Sequence, residues 1–174
     1  MFNVRGLLRE DLWAAPRRMN DDHPVIGRSR HRHERSGGLS EASARLSGMT
    51  LSNFSDLEQA IRDGWGADTT TPEHRPDWTP DNPARDQCGV TALVVHDLLG
   101  GDLIRGEVHV DGERVDYHWW NRLGMGIEVD LTREQFAPEE MVVGGDVIER
   151  PAEIVRLREE YELLRSRVMA ALCS

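Results

Sequence analysis

Hydrophobic and polar positions follow no sustained period through residues 1–50, and then organise sharply. Leu57, Ala60 and Ile61 recur at helical spacing behind Ser55 and Asp56, either of which caps a helix running to about Trp65. Residues 66–87 lose that period and carry Pro72, Pro76, Pro80 and Pro83 among threonines and aspartates, which predicts a long loop. Loops of this length in small domains are often functional. Val90 to Leu99 is apolar almost all round, so a helix there is buried, with Asp86 as its N-cap and Gly100-Gly101 as its stop. Beyond it the spacing falls to two. Leu103 to Val110 and Arg114 to Arg122 read as strands joined by Asp111-Gly112, a strong two-residue hairpin signal. A turn around Leu123 to Gly126 leads to a third strand, Ile127 to Leu131, and Gly144-Gly145-Asp146 reads as a further turn. From Pro151 to Cys173 the 3-4 spacing returns through Ile154, Leu157, Tyr161, Leu164 and Val168. That predicts a long amphipathic helix, packed on its own domain or forming a homodimer or partner seam over residues 154–168; its heptads are too few for a coiled coil.

Composition narrows the classes. All 21 basic side chains are arginine. The absence of lysine excludes a Schiff-base lysine, a pyridoxal-phosphate enzyme and a P-loop NTPase, each of which needs that amine. The charge is divided along the chain. Residues 1–50 hold 9 arginines against 6 carboxylates, a net of +3, and residues 51–174 hold 12 against 25, a net of −13. The first segment reads as a solvated extension: its charge is small and it has almost no aromatics to stack on bases. His23, His31 and His33 lie in this polar tract with no fixed site completed around them, so no metal is expected, and Met49 is an alternative translation start. The acidic remainder repels phosphates, which argues against a nucleic-acid partner. No apolar run spans a bilayer, and Leu7-Leu8 is followed at once by Arg9, Glu10 and Asp11, so neither a membrane span nor a signal peptide is expected. Two cysteines, Cys88 and Cys173, make no disulfide framework, which suits a reducing cytoplasm. The expected organisation is an extension over residues 1–50, an α+β domain over 51–150 and a C-terminal helix over 151–174.

The chemistry centres on Cys88. It sits in the first turn of the buried helix, where free N–H groups and the helix dipole favour a thiolate. If the turn after the second strand centres on Gly124, His118 lies directly opposite Asp130; centred one residue later, the two are diagonal neighbours on one face. Either way the pleat groups His118, Trp120 and Asp130, and sets Tyr117, Trp119, Ile127, Val129 and Leu131 on the other, apolar face. His118 would take the thiol proton and Asp130 would orient the imidazole. Gln87, or the Cys88 backbone N–H, would donate to an oxyanion, and Trp120 and Trp78 would wall the cleft. Asn121 is a rival third member, but it follows His118 by three on one strand and so points to the opposite face. Each residue alone has an ordinary structural reading: core packing for Cys88, a hydrogen-bonding role for His118, a strand-end role for Asp130. His96 reads as a satisfied core residue and Cys173 as exposed.

The order Cys, His, Asp resembles the papain-like and transglutaminase-like thiol enzymes. His118-Trp119-Trp120-Asn121 and Val129-Asp130-Leu131-Thr132 resemble the transglutaminase-like pattern of a His-x-Trp and then an Asp-x-Thr segment. More closely, Trp78, Asn82-Pro83, Gln87-Cys88, Thr91-Ala92, His118, Trp120-Asn121, Asp130-Leu131-Thr132 and Gln135-Phe136 resemble the YunG-like family of small uncharacterised bacterial proteins, over roughly residues 55–140. In that family a glycine usually precedes the Gln-Cys pair; Asp86 stands there in this chain, a change that should matter little to a thiolate, although a carboxylate so close would oppose ionisation of Cys88. The resemblance implies a papain/transglutaminase-like α+β fold, a buried nucleophile helix on an antiparallel sheet plus a C-terminal amphipathic helix, and a Cys88-His118-Asp130 triad. The expected function is cysteine-dependent acyl transfer or hydrolysis of a small-molecule or peptide acyl substrate, with no metal or organic cofactor. The alternative is a catalytically inactive binding or protein-interaction module on the same fold.

Overall fold

The computed structural model describes residues 54–174. The expectations for residues 1–50, including the histidine cluster and Met49, lie outside the described residues. Helix α1 (Phe54–Gly64) buries Leu57, Ala60, Ile61 and Gly64 on one face, as its spacing predicts. Helix α2 (Cys88–Leu99) is buried at every position from Cys88 to Val95 and again at Leu98, because it is the middle layer. The sheet lies on one side of it and helix α3 (Arg158–Leu172) on another, and α3 also packs against α1.

The segment between α1 and α2 is not a surface loop throughout. It contains two 3-10 turns, Ala67–Thr69 and Pro72–Asp77. Thr69, Thr70 and Thr71 are all buried. Thr69 and Thr70 are held by Gln87, whose Nε2 donates to Gly66 O (3.0 Å) and Thr70 Oγ1 (2.7 Å) and whose Oε1 accepts from Thr69 Oγ1 (2.9 Å). A fully buried amide with these partners leaves no polar group unmatched. Asp86 is not the helix cap. Gln87 occupies that position, while Asp86 takes φ +64° and turns its carboxylate to the N–H and hydroxyl of Thr71. A left-handed φ is where glycine is least strained and Asp is among the better-tolerated alternatives, which accounts physically for a glycine position that accepts Asp here.

The sheet is antiparallel, in the order β3-β2-β1-β4. Strands β1 (Asp102–Val110) and β2 (Glu113–Arg122) form the expected hairpin, with φ of 52° at Asp111 and 82° at Gly112, the signs of a type I′ turn. Strand β3 is only Glu128–Val129, shorter than Ile127 to Leu131. It pairs Asn121 with Val129, so His118 and Asp130 are diagonal neighbours and not directly opposed. The strand stops because Asp130 Oδ1 accepts from Thr132 N–H (3.2 Å), turning the chain into a 3-10 segment, Arg133–Gln135. Ile127 is 52% exposed, so the apolar face predicted to include it ends before it.

Strand β4 (Met141–Ile148) has no counterpart in the hydropathy reading. Its Gly144-Gly145-Asp146 is a kink inside a strand, not a turn. Arg105 pairs with Asp146 and Glu107 with Val143, so Gly144 and Gly145 together oppose Gly106, a bulge. The C-terminal helix begins at Arg158, not Pro151, because Leu157 takes a left-handed φ of 61° at its start. Ile154, Leu157, Tyr161, Leu164 and Val168 are buried in the chain's own core with α1 and α2, which leaves this stripe unavailable as a dimer seam. Among the described residues no helix is long and apolar enough to cross a membrane.

Candidate active site

The pleat of β1 and β2 puts Ile104, Gly106, Val108, His118 and Trp120 on one face, and all are buried. Trp119 and Asn121 point the other way. Trp119 enters the helical core, and Asn121 Nδ2 donates to Ala92 O of α2 (2.9 Å). Asn121 therefore fastens the helix to the sheet, on the face away from His118, as its spacing predicts.

His118 is completely buried, with Nε2 2.8 Å from Asp130 Oδ2. A carboxylate at that distance accepts a hydrogen bond from Nε2–H, which leaves Nδ1 bare in the neutral ring. Two aromatic rings pack against the imidazole. Trp120 stacks on it at 5.5 Å and 23°, and Phe136 meets it edge-on at 4.8 Å and 84°. Trp120 is itself seated on glycine. A Cβ on Gly106 would lie 2.9 Å from its ring, and one on Gly145 3.1 Å from it. The bulge in β4 thus makes the room that Trp120 needs to reach His118. Trp120 Nε1 donates to Glu128 Oε2 (3.2 Å), so this ring backs the imidazole; with Glu128 and Asp130 it lines a second cavity, separate from the one that holds Cys88.

Cys88 and Trp78 line one cavity of about 140 Å³, with Tyr117, Gln135 and Phe136 in its wall. Trp78 Nε1 donates to Pro83 O (3.1 Å), which fixes that indole at the rim. Arg85 grips Glu140 through two hydrogen bonds (2.8 and 2.9 Å) and also donates to Gln135 O (3.1 Å), tying the loop after β3 across the cavity. Burial works against the charge of Glu140, but the Arg85 guanidinium and the Ala137 N–H hold its carboxyl below the usual range. Cys88 is 4% exposed, at the first position of α2. Gln87, expected as an oxyanion donor, instead commits its amide hydrogens to Gly66 O and Thr70 Oγ1.

Sequence reasoning did not single out Gln135 as a site residue, though it stands in the quoted family pattern. Gln135 Nε2 is 3.3 Å from His118 Nδ1, and the same residue lines the cavity with Cys88. It is the physical link between the His118–Asp130 pair and the Cys88 side. The Asp130-x-Thr132-x-x-Gln135 spacing was the available signal: the turn that Asp130 makes with Thr132 brings Gln135 back toward the strand carrying His118. His96, read as satisfied, has its Nδ1 3.6 Å from Asp97 Oδ1, beyond hydrogen-bond reach, and Cys173 is exposed as expected. Among the described residues no cluster of His, Cys, Asp or Glu is arranged to hold a metal ion.

The YunG protein family model matches residues 53–173, the helices and sheet together. Over 59 residues the chain is 41% identical to the uncharacterized protein YunG of Bacillus subtilis (strain 168). That match covers 34% of this chain and 46% of the relative, less than half the relative's length. No solved structure matches the chain. With a family match that runs through α1, α2, the whole sheet and α3, the chain belongs to the YunG family.

Proposed function

We propose that this chain is a cysteine-dependent acyl-transfer enzyme of papain or transglutaminase type. The observation that carries the reading is the 2.8 Å contact between His118 Nε2 and Asp130, which aims Nδ1 toward Gln135 in the wall of the Cys88 cavity. In this reading His118 Nδ1 takes the proton of the Cys88 thiol. The sulfur lone pair attacks an acyl carbonyl, and the carbonyl electrons move to its oxygen. The Cys88 backbone N–H, in the first turn of α2, stabilises that oxyanion. Collapse of the intermediate expels the leaving group, which takes the proton from His118, and leaves a thioester on Cys88. Water or an amine then resolves the thioester, with His118 removing its proton. Asp130 keeps the ring oriented and stabilises its charged form throughout. The cavity is small and bordered by Trp78, Tyr117 and Phe136, which suits a narrow acyl group on a small-molecule or peptide substrate.

The test is alkylation of Cys88 by iodoacetamide across pH, in the unsubstituted protein and in His118→Ala, with exposed Cys173 as the internal reference thiol. Cys88 should react at least about tenfold more slowly at pH 7 without His118, while Cys173 is unchanged. His118→Ala also opens space beside a buried thiol, so a rate that stays level or rises overturns the enzyme reading in favour of an inactive binding module.

A further inference from the structure

The orientation of the Gln135 amide is set by two backbone groups that cannot change roles. Its Oε1 lies 3.2 Å from the N–H of Asp86, which only donates, and its Nε2 lies 3.0 Å from the carbonyl of Thr132, which only accepts. Rotating the amide by half a turn would oppose donor to donor and acceptor to acceptor. The atom 3.3 Å from His118 Nδ1 is therefore the NH₂ nitrogen, a donor. With Nε2–H held by Asp130, Nδ1 must be the acceptor, and His118 is bracketed as a neutral ring. A proton on Nδ1 would face the amide hydrogens, so the Gln135 donor fits the ring only while Nδ1 is bare.

We infer that Gln135 is a positioning residue that latches His118 in its neutral state, so that Cys88 rests as a thiol until a ligand in the cavity draws the amide away. Gln135 is 4% exposed and lines the cavity, so an acyl oxygen entering there competes for the same Nε2–H. Once that hydrogen bond moves to the acyl oxygen, Nδ1 is free to receive the Cys88 proton, and the electron pair stays on sulfur. The latch thereby couples thiolate formation to occupancy of the site and protects an idle thiol from oxidation. This inference rests on the acyl-transfer reading only for its consequence at Cys88; the state of the His118 ring is independent of it.

The experiment uses the full chain with Gln135→Met, which keeps the length and removes the donor, and Gln135→Glu, which replaces the donor with an acceptor. The His118 ring nitrogens are followed by ¹⁵N NMR against pH, and Cys88 alkylation by iodoacetamide is measured at pH 6. In both variants His118 should take up its Nδ1 proton at higher pH than in the unsubstituted chain, with the larger displacement for Gln135→Glu. A hydrogen bond of this kind is worth about tenfold in an equilibrium, so Cys88 should alkylate about tenfold faster at pH 6. A loss of packing alone would not order the two variants in this way. If the ring titration moves and Cys88 does not respond, the latch stands and the role of His118 as base for Cys88 falls. A ring titration that stays in place in both folded variants overturns the latch, whatever Cys88 does.

Discussion

Trp120 reaches His118 only because Gly106 has no side chain, and this can be tested by adding one methyl group. In Gly106→Ala the new Cβ would lie 2.9 Å from Cη2 and Cζ3 of Trp120 and 3.1 Å from Val143 O. Carbon atoms prefer about 3.5–4.0 Å, so the ring must retreat by more than half an ångström or the strand must move. The backbone oxygen belongs to β4 and cannot yield alone, and Trp120 is 9% exposed with little room to turn. Gly106 is not among the positive-φ glycines, so alanine adds no backbone penalty; it gains about 0.4–1 kcal/mol by restricting the unfolded chain. Overpacking of this kind costs about 1–3 kcal/mol, and the rigid backbone contact places it near the top of that range. The net expectation is a loss of about 2 kcal/mol, read as a lower urea midpoint at unchanged slope, with an altered near-ultraviolet tryptophan band. Gly112→Ala is the control: its Cβ meets nothing within 4 Å but its φ is 82°, so it should lose about 1–2 kcal/mol with the tryptophan band intact. A Gly106→Ala midpoint within about 0.5 kcal/mol of the unsubstituted protein would refute the claim that Trp120 is seated on that glycine.

Asn121→Ala should cost about 1–2 kcal/mol in urea unfolding, because it removes the donor to Ala92 O, and should leave Cys88 alkylation in the folded protein unchanged; a tenfold loss of reactivity would return Asn121 to the site. Burial works against the Asp97 charge, but hydrogen bonds from Arg150 (2.6 and 2.9 Å) and Tyr161 hold its carboxyl below the usual range. Its contribution is therefore complete above the ordinary Asp value of about 3.9 and is lost as pH falls through the lower folded value; Asp97→Asn should flatten that acid limb of a urea-midpoint profile. Burial first, and then Asp97, pushes the Tyr161 hydroxyl up to about 12, so stability from this bond is complete below about pH 10 and is lost as pH rises through 12. A Tyr161→Phe profile that keeps the same alkaline fall would sink that assignment.

What the sequence determined by itself is local. The spacing of Leu57, Ala60 and Ile61, the unbroken apolar run from Val90 and the Asp111-Gly112 pair dictate two helices and a hairpin, because periodicity and turn chemistry act over a few residues. The face shared by His118 and Asp130 was equally legible, since strand side chains alternate and either allowed register keeps the two together. The remaining features depended on distant neighbours. Met141–Ile148 became a strand only because β1 offered an unpaired edge and Gly106 could tolerate a two-glycine bulge opposite it. Pro151 to Leu157 lost its helix to a left-handed turn that still buries Ile154 and Leu157 in the core. Gln87 and Asn121 looked like chemistry by position, and tertiary contacts made them fasteners, because a buried amide must spend its hydrogen bonds on whatever the fold sets beside it. Gln135 went the other way: given no role by its position in the sequence, it became the neighbour of His118 when the chain after Asp130 folded back over the sheet. Side-chain order along the chain named Cys88, His118 and Asp130 as candidates, and only three-dimensional placement decided which polar groups lie beside them.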